Sequence, residues 1–559
     1  MSRNWHLPWH EYVETLKPHE RPMMPGSPAT PEHPGRLRAA YAATGVLVSL
    51  TGGLGNAMVT ANVQNLAGEL GITQTDAAWL PVVFVMTNAC MNLLLIKFRM
   101  QYGLRLFTEI ILAVFVATAL AHLLVDDFGS ALAVRAVAGM CGAGLTTLAF
   151  LYLMQAFPAA HRLKGLVIAI GLTSFTAPAA RIIGADLFDI DGWRGYHLME
   201  LGLALASLSA VFSLKLPPSE RIEVFEKLDF VTFALFAPGI ALLCAVLGLG
   251  RIVWWTDAPW IGWALAASIL LLAAALMVEH GRETPLINLR WMANADIVRM
   301  ALSILLVRIV LSEQTSGAVG FLQQMGLGPD QLHGLFLAIL LGTVAGTLVS
   351  AFTLDMTRLY LPIAIALALI AVGAFIDSHA TSLTRPVNLF FSQSLLAFAS
   401  ALFIGPALMI GLVQVMQKGG QTLVSFIVVF SVGQNLGGLA GSAIVGTAEM
   451  LRFREHFSTL SQSINLGDPN VVLRLQQLGG AYAGTLGDAH LRDVEGMRLL
   501  QQQITQEAHV LAYNDIFQWI AVAALAGALW VAIVHGQSIF RRRKATRDAA
   551  VEAAAESID

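Results

Sequence analysis

The chain has 559 residues, of which 56% are apolar and only 13% charged, with a formal net charge of −3. Soluble domains carry about 25% charged residues, so a chain this apolar cannot hide its hydrophobic surface from water and needs lipid as a solvent. The near-neutral charge excludes a broad basic surface for nucleic acid, and Cys90, Cys141 and Cys244 all sit in apolar runs, reading as small buried hydrophobes rather than disulfides or metal ligands.

Residues 1–37 are polar and rich in Pro and His, with no apolar stretch of the kind a cleavable leader carries. They are expected to form a disordered cytoplasmic tail. Apolar stretches of membrane-spanning length then occur near 38–62, 77–96, 104–124, 130–157, 163–187, 194–214, 229–250, 259–279, 297–321, 331–354, 359–377, 386–415, 421–448 and 512–536, fourteen in all. Basic residues orient them. With the N-terminus inside, the inside segments hold Lys97, Arg99, Arg105, Arg162, Lys164, Arg282, Arg290 and the run Arg541–Arg542–Arg543–Lys544. The short outside loops hold only Arg194, Arg251 and Arg385. An even number of spans keeps the C-terminal run, in the tail 538–559, on the inner side. Segment 451–511 is the one sizeable soluble piece. Within it Val472–Gln477 and Gly496–Val510 read as amphipathic helices, and the scattered His456, His490 and His509 read as parts of a packed periplasmic cap rather than a metal site.

Charge inside the spans marks the candidate site, because a charged side chain at the bilayer centre costs about 2.5–3.5 kcal/mol and normally faces a cavity or a partner. A proton-coupled transporter needs a carboxyl whose proton affinity responds to desolvation and to nearby charge. Glu313 is the first candidate and Glu200 the second. Arg135, Arg181, Arg308, Gln314 and Asn56 are the candidate substrate-binding groups. Arginine's planar fork bonds both oxygens of a carboxylate, and three arginines among so few acids favour an amphipathic or aromatic organic acid, or a neutral drug, over a lipophilic cation. Arg181 and Glu200 fall at similar depth and are expected to form an ion pair. Structural roles stay open: Arg135 tying helices through carbonyls, the Arg181–Glu200 pair as a brace, and Glu313 as a satisfied interior carboxyl. No metal-binding His-Glu-x-x-His, no phosphate-binding Gly-x-x-x-x-Gly-Lys-Ser/Thr and no aspartate cluster occurs. An enzyme is therefore not expected, no cofactor is implied, and an ion gradient is the expected driving force.

Several local patterns carry a family resemblance. They are Trp79–Leu80–Pro81–Val82–Val83–Phe84 with Asn88–Ala89, an Arg-x-x-x-Gly from Arg135 to Gly139, Phe157–Pro158 followed by Arg162, Leu322–Gln323–Gln324 through Gly334, the Gly-rich Gly433–Gln434–Asn435–Leu436–Gly437–Gly438, and Asn514–Asp515–Ile516–Phe517. In order and spacing, over about residues 45–537, they resemble the fourteen-span drug:proton antiporters of the major facilitator superfamily, of the EmrB type. The resemblance implies an all-α polytopic membrane protein. Its parts would be a six-helix bundle (38–214), a linker with two extra membrane helices (215–296) and a second six-helix bundle (297–537). A midplane cavity would lie between bundles that rock against each other. It also implies the bacterial inner membrane, both termini in the cytoplasm, and partnership with a periplasmic adaptor and an outer-membrane channel.

Three patterns depart from that family. The acidic residue it carries in the first span, aligned with Gly55 or Asn56, is missing. Its loop Gly-x-x-x-Asp-x-x-Gly-Arg reads Ile96 to Arg105 here, without the aspartate. Its Gly-Pro-x-x-Gly-Gly in the fifth span becomes Ala177–Pro178–Ala179–Ala180–Arg181–Ile182. Export of drugs or organic acids driven by protons is the leading expectation. Uptake of an organic acid by the same fold and a non-transporting membrane partner are the alternatives.

Overall fold

The structure is a computed structural model that describes residues 9–22, 26–418 and 422–556. Among them no strand occurs, and thirteen helices are long and apolar enough to cross a membrane. In order these are Gly35–Ala61, Gln74–Tyr102, Leu104–His122, Phe128–Ala156, Ala159–Gly184, Gly192–Ser213, Lys227–Val253, Pro259–His280, Pro329–Phe352, Tyr360–Asp377, Pro386–Gln417, Leu423–Ser463 and Ala489–Gln537. Each matches one stretch expected from sequence. The remaining stretch, 297–321, is helical too: Ala295–Val310 leads into a π-helical turn, Glu313–Ala318, and on into Val319–Gln324. It carries Asp296, Arg299, Arg308 and Glu313, and the π-helical turn interrupts its α-helix after Val310. In chain order it is the ninth span, and Pro329–Phe352 is the tenth.

Two cores organise the bundle. The first packs Tyr41, Val48, Phe107, Leu112, Leu148, Tyr152 and Ala204 from the first, third, fourth and sixth spans. The second packs Ile304, Val307, Ile363, Leu367, Phe403, Met409, Ile516 and Ile520 from the second half. The fifth span joins this second core through Val167 and Ile170. It can approach because of its glycines: a Cβ on Gly171 would lie 2.4 Å from Thr347 Cγ2 of the tenth span. The seventh span lies against the second and thirteenth through Phe236, Ile240 and Cys244. A charge network fastens its N-terminal end, with Lys97 Nζ 2.6 Å from Asp229 and Arg282 bonded to Asp229, Glu226 and Glu279. The three cysteines are free and buried.

Two expectations about the polar segments need correction. Residues 9–22 and 26–34 do not form a loose tail but a strap across the loop end of the first half. Arg162 donates to the carbonyls of His19 and Thr30 at 2.6 and 2.9 Å, Gln155 donates to the Ala29 carbonyl, and Ala29 N–H reaches the Pro218 carbonyl. The strap stays ordered because these buried donors would otherwise be orphaned. Residues 1–8 and 23–25 lie outside the described residues, as do the side chains of the basic run Arg541–Lys544. In the soluble segment, both predicted helices exist but are longer. Val472–Gln477 belongs to Pro469–Gly480, and Gly496–Val510 is part of one continuous helix, Ala489–Glu556, that runs into the last span.

Candidate functional site

A cavity of about 490 Å³ lies between the two halves. The second, fourth and fifth spans form one wall, and the ninth, tenth, twelfth and thirteenth form the other. Its apolar surface comes from residues such as Phe150, Met154, Ile404, Phe426 and Phe430, and its polar surface from Asn88, Asn92, Thr146, Ser312, Thr315 and Gln434. Asn92 donates to Ser431 Oγ at 2.8 Å, a bond from one half to the other at the cavity wall. Two cations face this space, Arg99 and Arg308, and no Asp or Glu occurs among the described residues that line it.

Arg308 is held by the Gly-rich thirteenth span. Its Nε donates to the Gln434 carbonyl at 3.2 Å. A Cβ on Gly437 would lie 2.8 Å from Arg308 Cβ, so the glycines there make room for the guanidinium stem. Arg99 is buried in the second span, with an Nε that has no hydrogen-bond partner. It is not among the residues that the sequence singles out for substrate, because its place in the basic segment 97–105 suggests a solvated inner loop. Ser27 of the strap also reaches the cavity wall, as do Ala177 and Pro178 of the altered fifth-span motif.

Of the predicted residues, Arg308 and Gln314 line the cavity; Arg135, Arg181, Asn56, Glu200 and Glu313 are not among its lining residues. Glu313 is fully buried behind the wall, in the π-helical turn. Its oxygens accept from Gln393 Nε2 at 3.0 and 3.3 Å, and the same amide donates to Asp377 Oδ2 at 2.7 Å. Two carboxyls therefore share one amide, and no Lys, Arg or His pairs with either among the described residues. The cluster touches the cavity wall through Gln314, whose amide donates to the Gln393 carbonyl at 2.9 Å. Sequence reading missed Asp377 because it ends an apolar stretch and looks like a loop residue, and missed Gln393 because a lone amide in a span carries no signal.

The expected Arg181–Glu200 ion pair is not formed. Arg181 lies over the Phe336 ring of the tenth span at 5.2 Å, a cation–π contact between the halves. Glu200 instead meets His197 and His122, whose Nδ1 atoms lie 2.8 and 3.2 Å from its Oε2. Helical direction explains the difference: Glu200 follows His197 by three residues and so shares its face, turned toward the first and third spans. A Cβ on Gly55 would lie 2.4 Å from Glu200 Oε1, so the space left free by the glycine in the first span holds a carboxyl from the sixth. Arg135 donates to Asn56 Oδ1 and covers the Phe84 ring at 4.8 Å. These two predicted residues therefore meet each other, but away from the cavity.

No family model matches the chain. A curated relative, "MFS transporter L2" of Phoma sp. (strain ATCC 20986 / MF5453), is 21% identical over 284 residues, covering 49% of this chain; the match spans 47%, about half, of that relative's own length. Among solved structures, the chain is similar to a bacterial homologue of the human drug peptide transporters PepT1 and PepT2 (TM-score 0.53, 12% identical, 90% of this chain and 99% of that one). It is also similar to the human organic anion transporter MFSD10 (TM-score 0.52, 13% identical, 88% of this chain and 100% of that one). Tetrameric PepTSo2 aligns at a TM-score of 0.52 and 13% identity over 90% of this chain and 99% of its own. The chain is thus a multi-pass membrane protein with the fold of the major facilitator transporters.

Proposed function

We propose that the protein is a proton-driven secondary transporter that exports small amphipathic organic acids, and neutral drugs of similar shape, across a bacterial inner membrane. The observation that carries this reading is the cavity itself, which presents two arginines, amide and hydroxyl groups and aromatic walls, and no acid among its described lining residues. An unpaired guanidinium in a low-dielectric cavity attracts a carboxylate and repels a cation. A zwitterion such as a peptide would leave its ammonium without a counter-charge there. For the same reason Arg308 and Gln314 are the substrate-binding residues we favour, whereas Arg135, Arg181 and Asn56 serve the bundle.

Proton coupling is assigned to Glu313 with Asp377 and Gln393. Two carboxyls this close repel each other when both are charged, and one proton held between them removes that repulsion. The link through Gln314 gives a bound anion a path by which to alter that balance. Rocking of the halves about the cavity would then move substrate and proton in opposite directions. Export, and a periplasmic adaptor with an outer-membrane channel, rest on the family resemblance. The long helices around Pro469–Gly480 are the surface such an adaptor would meet.

The test uses everted membrane vesicles energised to be acidic inside, a panel of aromatic acids, neutral drugs and lipophilic cations, and a Glu313→Gln control. Collapse of the pH gradient by acids, absent in the variant, supports the proposal. Collapse by cations alone overturns the substrate class, and an unaltered response in Glu313→Gln overturns the coupling residue.

A further inference from the structure

The transport reading gives Arg308 a substrate contact and leaves Arg99, the other cation of the cavity, without one. Arg99 is 6% exposed, its Nε has no hydrogen-bond partner, and it lines the central cavity. Among the described residues no carboxylate acts on Arg99 or on Arg308. Two guanidiniums therefore face one cavity that offers them no counter-charge. A ligand with a single acidic group neutralises only one of them, and a charge left unpaired in a low-dielectric space is costly.

Helix register shows where the two cations sit. Asn92 of the second span donates to Ser431 Oγ of the thirteenth at 2.8 Å, which fixes the level of one helix against the other. The two spans cross in opposite directions, and their core contacts agree: Ile96 and Met100 share a cluster with Val424 and Val428. At about 1.5 Å per residue, Arg99 lies roughly 10 Å from that bond on the strap side, and Gln434, whose carbonyl holds Arg308, lies about 4.5 Å on the other. The backbone of Arg99 and the carbonyl that anchors Arg308 are thus roughly 15 Å apart along the bundle. Phe426 and Phe430, with ring centroids 6.0 Å apart, fall between those levels and line the same cavity. The strap covers the Arg99 end. A Cβ on Gly26, at φ +69°, would lie 2.5 Å from Met100 Cγ, so the strap's backbone rests on the residue next to Arg99. Ser27 then follows into the cavity wall.

We propose that Arg99 is a second anion subsite of the cavity and that the preferred substrates are elongated aromatic diacids, with one acidic group on Arg308 and the other on Arg99 beside Ser27. This inference rests on the proposed transport of organic acids and narrows its substrate class. The planar fork of Arg99 offers a carboxylate two parallel hydrogen bonds, and its orphaned Nε gains an acceptor. An aromatic body between the two acids packs on Phe426 and Phe430, in the stretch between the charges. Neither cation is then left unpaired.

The experiment compares biphenyl-4-carboxylate with biphenyl-4,4′-dicarboxylate, which share one body and differ by one acid, in calorimetric titrations of full-length protein in detergent. Wild-type protein should bind the dicarboxylate at least about 10-fold tighter, the contribution of one charge-assisted hydrogen bond. Arg99→Met should bring that ratio to about one, whereas Arg181→Met, outside the cavity, should keep it. Arg99→Lys, which retains the charge without the fork, should keep a smaller preference. Equal binding of the two acids by wild type, or a preference that survives Arg99→Met, overturns the proposal and leaves the transport of monoacids standing. Binding of neither acid overturns that transport reading as well. Should Arg99→Met fail to fold, the wild-type ratio and its decline in Arg99→Lys decide.

Discussion

Replacing Arg308 by Met keeps most of the apolar stem in the slot beside Gly437 and removes the guanidinium. The backbone carbonyl of Gln434 loses its 3.2 Å bond from Nε, but that oxygen belongs to a helix and keeps its own ladder partner, so folding should change little. What disappears is the charge-assisted bond to a substrate carboxylate. Such bonds contribute about 1.5–3 kcal/mol, which at about 1.4 kcal/mol per decade predicts roughly 10- to 150-fold weaker binding. The measurement is titration of purified protein with an aromatic acid found active in the vesicle assay, read by calorimetry. Arg181→Met is the matched control: it also deletes a half-buried guanidinium, but one seated on Phe336 outside the cavity, so its binding constant should move less than about threefold. Equal losses in both variants, or no loss in Arg308→Met, would refute the idea that the cavity-facing arginine selects anions.

Other perturbations separate the remaining parts. Gln393→Leu removes the amide shared by Glu313 and Asp377; coupled proton movement should fall at least about tenfold in the vesicle assay, while substrate binding to detergent-solubilised protein stays within about threefold. Gly171→Ala pushes a Cβ to 2.4 Å from Thr347 Cγ2 and should slow transport several-fold, with Thr347→Ala on the same chain restoring much of the rate, the non-additivity expected of touching residues. In the strap, burial works to raise the pKa of Glu20, but the backbone amides of Glu32 and Lys17 outweigh it and hold the carboxyl below its usual range. A depressed carboxyl stabilises the strap above the unfolded value near about pH 4.3 and loses that contribution as pH falls through the lower folded value. Limited chymotrypsin digestion at Tyr12 and Leu16, both buried in the strap, should therefore be several-fold faster at neutral pH in Glu20→Gln than in wild type.

Span positions were legible because a run of about 20 apolar residues has few other uses; even the polar ninth stretch was found. Arg308 and Gln314 were legible as cavity residues because the ninth span concentrates polar groups on a helix with no water to face. The partners were not. Glu200 and Arg181 sit at similar depth, but depth says nothing about azimuth, and helix rotation sent one to the histidines and the other to Phe336. Asp377, Gln393 and His122 lie far in sequence from the residues they touch, and none belongs to a local pattern. The strap was misread for the opposite reason: a polar, Pro-rich composition describes disorder only when no neighbour offers buried donors such as Arg162 and Gln155 to its carbonyls.

The polarity of 295–324 has a consequence for how the chain enters the membrane at all. Among the described residues thirteen helices satisfy the length and composition of a span on their own, whereas Arg308 alone adds about 2.5–3.5 kcal/mol to the insertion of a helix that carries it near the centre. During synthesis this segment should therefore linger at the translocon until the Gly433–Gly438 stretch, far later in the chain, emerges to receive the guanidinium. Truncated nascent chains that end before the thirteenth helix should leave the ninth poorly inserted, and a membrane quality-control protease would meet the protein first at that point.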